Sequence, residues 1–241
     1  MLAFTLARKN FRENDQLITF YTKEHGKIET IARGVKRIVS KNAPTLESFS
    51  LLDIEVVPGK KYSYVTKTQV IEGFQNIRED LEKMLAIGFV LDVLKNLIKT
   101  GENDQNVFKL LHSYEKFLHS VKKISPLVPA AFVGRLACFL GFTPVFGSCV
   151  FCNSKLSKPE FFSVSAGGTV CSKCAATRKD EVVKVTVDVL KKVRSTLTDN
   201  WEKITDKGIK EDERELVLGL IADHFNYHLG VAVKFPQLKN A

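Results

Sequence analysis

Four of the chain's five cysteines stand in two matched pairs, Cys149-Val-Phe-Cys152 and Cys171-Ser-Lys-Cys174, in the spacing C-x2-C-x18-C-x2-C. Each C-x2-C knuckle turns tightly enough to aim two sulfurs at one point. Two knuckles complete a tetrahedral S4 shell with Zn–S near ~2.3 Å. The segment between them reads as a short hairpin: strand residues Phe161 to Ser165, a turn at Ala166-Gly167-Gly168, then Thr169-Val170-Cys171. Such a hairpin brings two knuckles face to face. Two structural disulfides are disfavoured in a reducing compartment. A redox C-x2-C would need one pair on a strand-to-helix turn instead of two pairs bridged by a hairpin. Four thiolates also leave no coordination position for water, so the expected cofactor is a single structural Zn2+. Cys138, on the preceding apolar stretch, reads as a plain core thiol.

Ahead of this module the hydrophobic period changes once. Leu17 to Thr22 leads through Glu24-His25-Gly26 into Lys27 to Ile31, a hairpin with a glycine-containing turn. Leu52 to Val56 alternates apolar and polar, Pro58-Gly59 turns the chain, and Tyr62 to Thr68 alternates again. With Ala3 to Ala7 in front, about five strands are available, and a small closed barrel hides their edges. An OB-type barrel is favoured; an SH3-like barrel has the same pattern. From about residue 80 the period is helical. Met84, Ile87, Leu91, Leu94 and Ile98 form one stripe, and Val107, Leu110, Leu111, Tyr114, Leu118 and Val121 another. Ile87 to Leu91 is apolar nearly all round, which predicts a central buried helix. Further helices are expected over Val128–Phe142, Val183–Leu197 and Asp212–Leu229. The expected class is therefore α+β and multidomain: a barrel over 1–80, an α-helical domain over 81–147 and 177–241, and an inserted tetracysteine module over 148–176.

The 36 Lys and Arg residues against 27 Asp and Glu give a net charge of +9 and a pI near 9.2, which makes nucleic acid or an anionic surface a plausible partner. Lys27, Arg33, Lys36, Arg37 and Lys41 lie in and after the second hairpin strand, opposed up to Lys41 only by Glu29. Arg8 and Lys9 end the first strand, and Lys60 and Lys61 sit at a later turn. On a barrel mouth such residues can track phosphates, and Tyr62, Tyr64, Phe20 and Tyr21 are candidate stacking faces. The opposing reading is a solvated lysine rim over core aromatics. Arg135 is a lone charge on an apolar helix, either a capped structural cation or the mark of a pocket for a partner's carboxylate. His224 and His228, four apart on a predicted helix, could share a metal, though such pairs are commonly structural. No phosphate-binding glycine loop, nucleophile elbow or two-metal carboxylate cluster is present. The N-terminus lacks the n- and h-regions of a secretory signal. Arg135, Pro129 and Pro144 interrupt the one apolar stretch long enough to raise a membrane span. A soluble cytoplasmic chain is expected.

The order of parts resembles the bacterial RecO recombination mediator family over nearly the whole chain. The anchors are RENDQLITFYTKEHGKIETIARGVKR near the N-terminus and LGFTPVFGSCVFC…FFSVSAGGTVCSKC around the cysteines. The resemblance implies an OB-fold domain, a helical domain and a zinc-binding module whose ligands are Cys149, Cys152, Cys171 and Cys174. It implies binding to single- and double-stranded DNA, annealing of complementary strands, and help, with RecR, in loading RecA onto DNA coated by single-strand-binding protein. This is a non-enzymatic role in the cytoplasm at the nucleoid. Arg33, Lys36, Arg37 and Lys41 match the family's basic loop. Arg135 falls in the helix that carries FE-x-RLL in many members and is expected to help receive the acidic tail of single-strand-binding protein. The alternative from another class is a zinc-stabilised protein-interaction adaptor without intrinsic DNA binding.

Overall fold

Alternating apolar and polar residues near the N-terminus form five strands: β1 (Leu2–Asn10), β2 (Gln16–Thr22), β3 (Gly26–Ala32), β4 (Ser50–Val57) and β5 (Ser63–Gly73). In the computed structural model, which describes residues 1–37, 40, 43–46, 49–178 and 182–238, they close into a barrel in the order β1-β2-β3-β5-β4. All neighbours are antiparallel except β3 and β5. Closure gives every barrel strand a partner on both sides, which shortens the edges another chain could extend. Shifts of register after Leu51 and after Glu55 let β4 and β5 curve around the barrel. Its interior is filled by Ala3, Ile18, Phe20, Leu52, Ile54 and Val65. This is the OB-like barrel expected from the sequence.

Gly26 dictates the β2–β3 turn. Its φ of +63° is left-handed, and a Cβ there would stand 1.8 Å from the Glu102 carbonyl oxygen. The first unit of packing, residues 1–122, also contains α1 (Gln75–Arg78), α2 (Leu81–Leu97) and α3 (Gln105–Ser120). Asp80 caps α2 by accepting from the N–H groups of Glu82 and Lys83, and Asp104 caps α3 by accepting from Asn106. Their C-terminal ends are closed by cations. Lys27 Nζ donates to the carbonyls of Lys95 and Ile98 at 2.6 and 2.7 Å, and buried Lys83 donates to that of Val121. Composition predicts a central helix buried all round, but α2 is buried on one side only. It packs toward α1 and β1 through residues such as Ala86, Ile87 and Leu94, which leaves Leu81 66% and Leu85 44% exposed beside open Gly88.

The second unit, residues 123–241, is built on α4 (Leu127–Phe139), α6 (Val187–Thr198) and α7 (Glu211–Leu229), which pack pairwise. Helix α4 approaches α6 so closely that a Cβ on Gly134 would lie 2.1 Å from Leu197 Cδ2. Between α4 and α6 in sequence come β6 (Phe161–Ser163), β7 (Gly168–Val170), α5 (Ser172–Thr177) and β8 (Val183–Lys184), with strand order β7-β6-β8. The helix predicted from Val183 starts only at Val187. Thr186 caps it by accepting from the Val189 N–H, and Val183 and Lys184 pair with β6 instead. Among the described residues no helix is long and apolar enough to cross a membrane. The packing division falls after α3, whereas the strand pattern gives way to the helical one near residue 80.

Candidate metal centre and nucleic-acid interface

The β6–β7 hairpin delivers Cys171 beside the first knuckle. That knuckle is folded by Asn153, whose N–H donates to the Cys149 carbonyl at 2.8 Å from a left-handed φ of 59°. In the second, the Cys174 N–H donates to the Cys171 sulfur and the Ala175 N–H to the Cys171 carbonyl. The four Sγ atoms lie within 4.8 Å of one another, and none is in a disulfide. A tetrahedron with metal–sulfur bonds of about 2.3 Å has edges of about 3.8 Å, and the Cys152 and Cys171 sulfurs are 3.7 Å apart. Burial opposes ionisation of Cys149, but the N–H groups of Cys171, Cys152 and Phe151 hold its thiol down to about 6. Cys174, hydrogen-bonded to the Cys171 sulfur, is pushed up to about 12. Four adjacent thiolates cannot all hold charge unaided, and a cation at their centre removes that repulsion. The donor set fits a tetrahedral thiolate-bound metal.

His224 and His228 are not part of this centre. Their Nε2–H groups donate to the carbonyls of Phe142 at 2.8 Å and Val164 at 2.9 Å, which pins the hairpin and the segment before it to α7. Arg135, half-buried on α4, donates through Nη2 to the carbonyls of Thr196 and Asp199 and lies 4.0 Å above the Trp201 ring. Burial lowers its pKa, and Asp199 opposes that change. Through these contacts Arg135 caps the C-terminal end of α6.

Barrel register gathers basic residues that are distant in sequence. Lys9 pairs with Leu17, Leu17 with Ile31 and Ile31 with Tyr64; the next row runs Arg8, Ile18, Thr30, Ser63. The end of β1, the end of β3 and the start of β5 therefore share one end of the barrel. The turns there carry Arg33, Lys36, Arg37, Lys60 and Lys61, all exposed, as are Arg8 and Lys9. Lys41 lies outside the described residues. Two contacts hold the turns together: Asp15 Oδ1 accepts from the Gly34 N–H at 2.8 Å, and the Asn14 carbonyl from the Lys36 N–H at 3.1 Å. Lys27, grouped with this loop by sequence, stands at the opposite end of β3, and its ammonium is spent on α2.

The aromatic candidates divide. Phe20 and Tyr21 offer no stacking face, since both have 0% exposure: Phe20 fills the barrel, and the Tyr21 hydroxyl donates to the Asp104 carbonyl at the start of α3. Tyr62 and Tyr64 are half-exposed at the cationic end. The Arg33 guanidinium lies 3.9 Å over the Tyr64 ring. Phe11 meets Tyr62 edge-on at 5.5 Å, with Arg12 5.2 Å over Phe11. Sequence reasoning missed Phe11 and Arg12; the available clue was their place in the short turn between two paired strands.

Two family models match in tandem: recombination protein O N terminal over residues 2–74, and recombination protein O C terminal over residues 78–235. Curated relatives are similar along almost their full length. The DNA repair protein RecO of Pelotomaculum thermopropionicum is 28% identical over 231 residues, covering 94% of this chain and 88% of the relative. That of Myxococcus xanthus is 28% identical over 233 residues, covering 96% and 93%. That of Caldanaerobacter subterraneus is 26% identical over 239 residues, also covering 96% and 93%. The closed barrel, the helical remainder, the four converging cysteines and these matches agree: the chain belongs to the RecO family of recombination and DNA repair proteins.

Proposed function

We propose that this chain is a non-enzymatic mediator of DNA repair and recombination. It binds single- and double-stranded DNA, anneals complementary strands and, with RecR, helps load RecA onto DNA coated by single-strand-binding protein. Residues 1–80 are the nucleic-acid-binding domain, 81–147 with 177–241 the helical domain, and 148–176 a module held by one structural Zn2+. The observation that carries the reading is the gathering of seven exposed cations, Arg8, Lys9, Arg33, Lys36, Arg37, Lys60 and Lys61, at one barrel end; Lys41 is assigned to the same surface.

Annealing brings two polyanions together. Cations that release condensed counterions from both backbones lower that barrier without any bond being made or broken. Phosphate contacts carry no base information, so strands of any sequence are accepted. The acidic tail of single-strand-binding protein meets the helical domain near the half-buried Arg135, and the protein works in the cytoplasm at the nucleoid. Fluorescence anisotropy of labelled single- and double-stranded oligonucleotides at several salt concentrations tests the reading. Binding with a steep salt dependence and little sequence preference is expected. No binding at low salt, together with salt-independent capture of a protein partner, would replace it with the adaptor.

A further inference from the structure

We infer that the cationic end of the barrel holds unpaired bases as well as phosphates, stacking them on the Arg33–Tyr64 and Phe11–Tyr62 pairs. The inference rests on the barrel being the DNA-contact domain and adds what part of the strand is gripped. Tyr64 is held by the turn before it: a Cβ on Gly59 would lie 2.5 Å from both Tyr64 Cε2 and the Tyr62 carbonyl oxygen, so the turn passes directly against the ring. Arg33 lies over the ring at 3.9 Å and is itself exposed. A guanidinium held over an aromatic ring on an exposed side chain can offer a second planar face to a base. Phosphates take the N–H edges of such a group, whereas a base takes its face.

The second pair repeats the chemistry. Phe11 and Tyr62 are half-exposed, 5.5 Å apart, with Arg12 5.2 Å over Phe11 and Lys61 Nζ 5.6 Å from the Tyr62 centroid. Aromatic exposure is not general in this barrel, where Phe4, Phe20 and Tyr21 are buried. Bases inside a duplex already stack on each other and cannot offer both faces. The two pairs therefore select single strands, and they do so for any base because each has a π-face.

The test compares a single-stranded oligonucleotide with an abasic strand of the same length and phosphate count, both titrated into the full chain by anisotropy. Two stacked bases at the weaker end of the known range make the base-containing strand bind about 30-fold tighter. Tyr64→Leu and, with charge kept, Arg33→Lys are expected to narrow that gap; circular dichroism checks that each variant is folded. Equal affinity of the wild-type protein for the two strands would overturn the inference while leaving phosphate binding intact. Binding to neither strand would remove the DNA reading itself, and the inference with it.

Discussion

Removing Lys36 and Arg37 together is expected to change how DNA binding depends on salt, beyond any change in affinity at one concentration. Besides Arg12 over the Phe11 ring, seven exposed cations occupy the barrel end among the described residues. If each neutralises one phosphate of a single strand, at about −0.7 per contact, the log–log slope is roughly −5, and a fourfold rise in salt weakens binding about 900-fold. Lys36→Ala with Arg37→Ala leaves five such cations, a slope of roughly −3.5, and a loss of about 130-fold over the same range. Lys27→Met is the matched control. It removes a cation of the same sequence cluster whose ammonium caps α2, so its slope should equal that of wild type. Anisotropy titrations at four or more salt concentrations give all three slopes. A double variant with the wild-type slope, or a Lys27 variant with a reduced one, would refute the assignment of phosphate contacts made from barrel register.

Other consequences follow from single sites. Cys149→Ser should drop the metal content measured by mass spectrometry well below one ion per chain and lower the melting temperature; full metal retention would contradict a tetrathiolate site. Glu115 is buried on α3 with no hydrogen-bond partner for Oε2 among the described residues, and burial pushes its carboxyl from 4.5 to about 8. The folded chain keeps a proton that the unfolded chain releases, so this group makes stability fall as pH rises between those two values. Glu115→Gln should therefore melt higher than wild type near pH ~8.5 and converge with it near pH ~5; parallel melting curves at both pH values would exclude this. Arg135→Met should cost about 1 kcal/mol through loss of the α6 cap and shift the emission of Trp201, the sole tryptophan. An unchanged spectrum would mean that the guanidinium does not rest on that ring.

Much of the architecture was legible because it rests on local pattern. Cysteine spacing fixes the convergence of four sulfurs, and alternation in Leu52 to Val56 and Tyr62 to Thr68 fixes strands whose edges must be hidden. What the pattern cannot carry is the destination of a side chain. Phe20 and Tyr21 are consecutive, so one must face out of the barrel; it is nevertheless buried, because the start of α3 covers that outer face. Lys27 lies among cations that point to solvent, yet Gly26 lets the chain press against Glu102 and turns the lysine toward a helix end. Arg12 reads as one more charge in a polar turn until the ring of Phe11 is seen beneath it. The helical period locates α2 and α3 but does not say that they pack with the barrel.

Lys27 also bears on how the first unit comes apart. Beyond its two ammonium bonds, its backbone N–H donates to the Glu102 carbonyl, and its own carbonyl accepts from the Gly101 N–H at 2.8 Å. A barrel strand and the last turn of a helix are thus tied through one residue, and opening either one breaks bonds to the other. Amide exchange in β3 and at the C-terminal turn of α2 should accordingly report a single opening event, with equal protection and equal sensitivity to denaturant. The barrel and its flanking helix are therefore expected to unfold together, so a lesion in α2 should show first as faster exchange in β3.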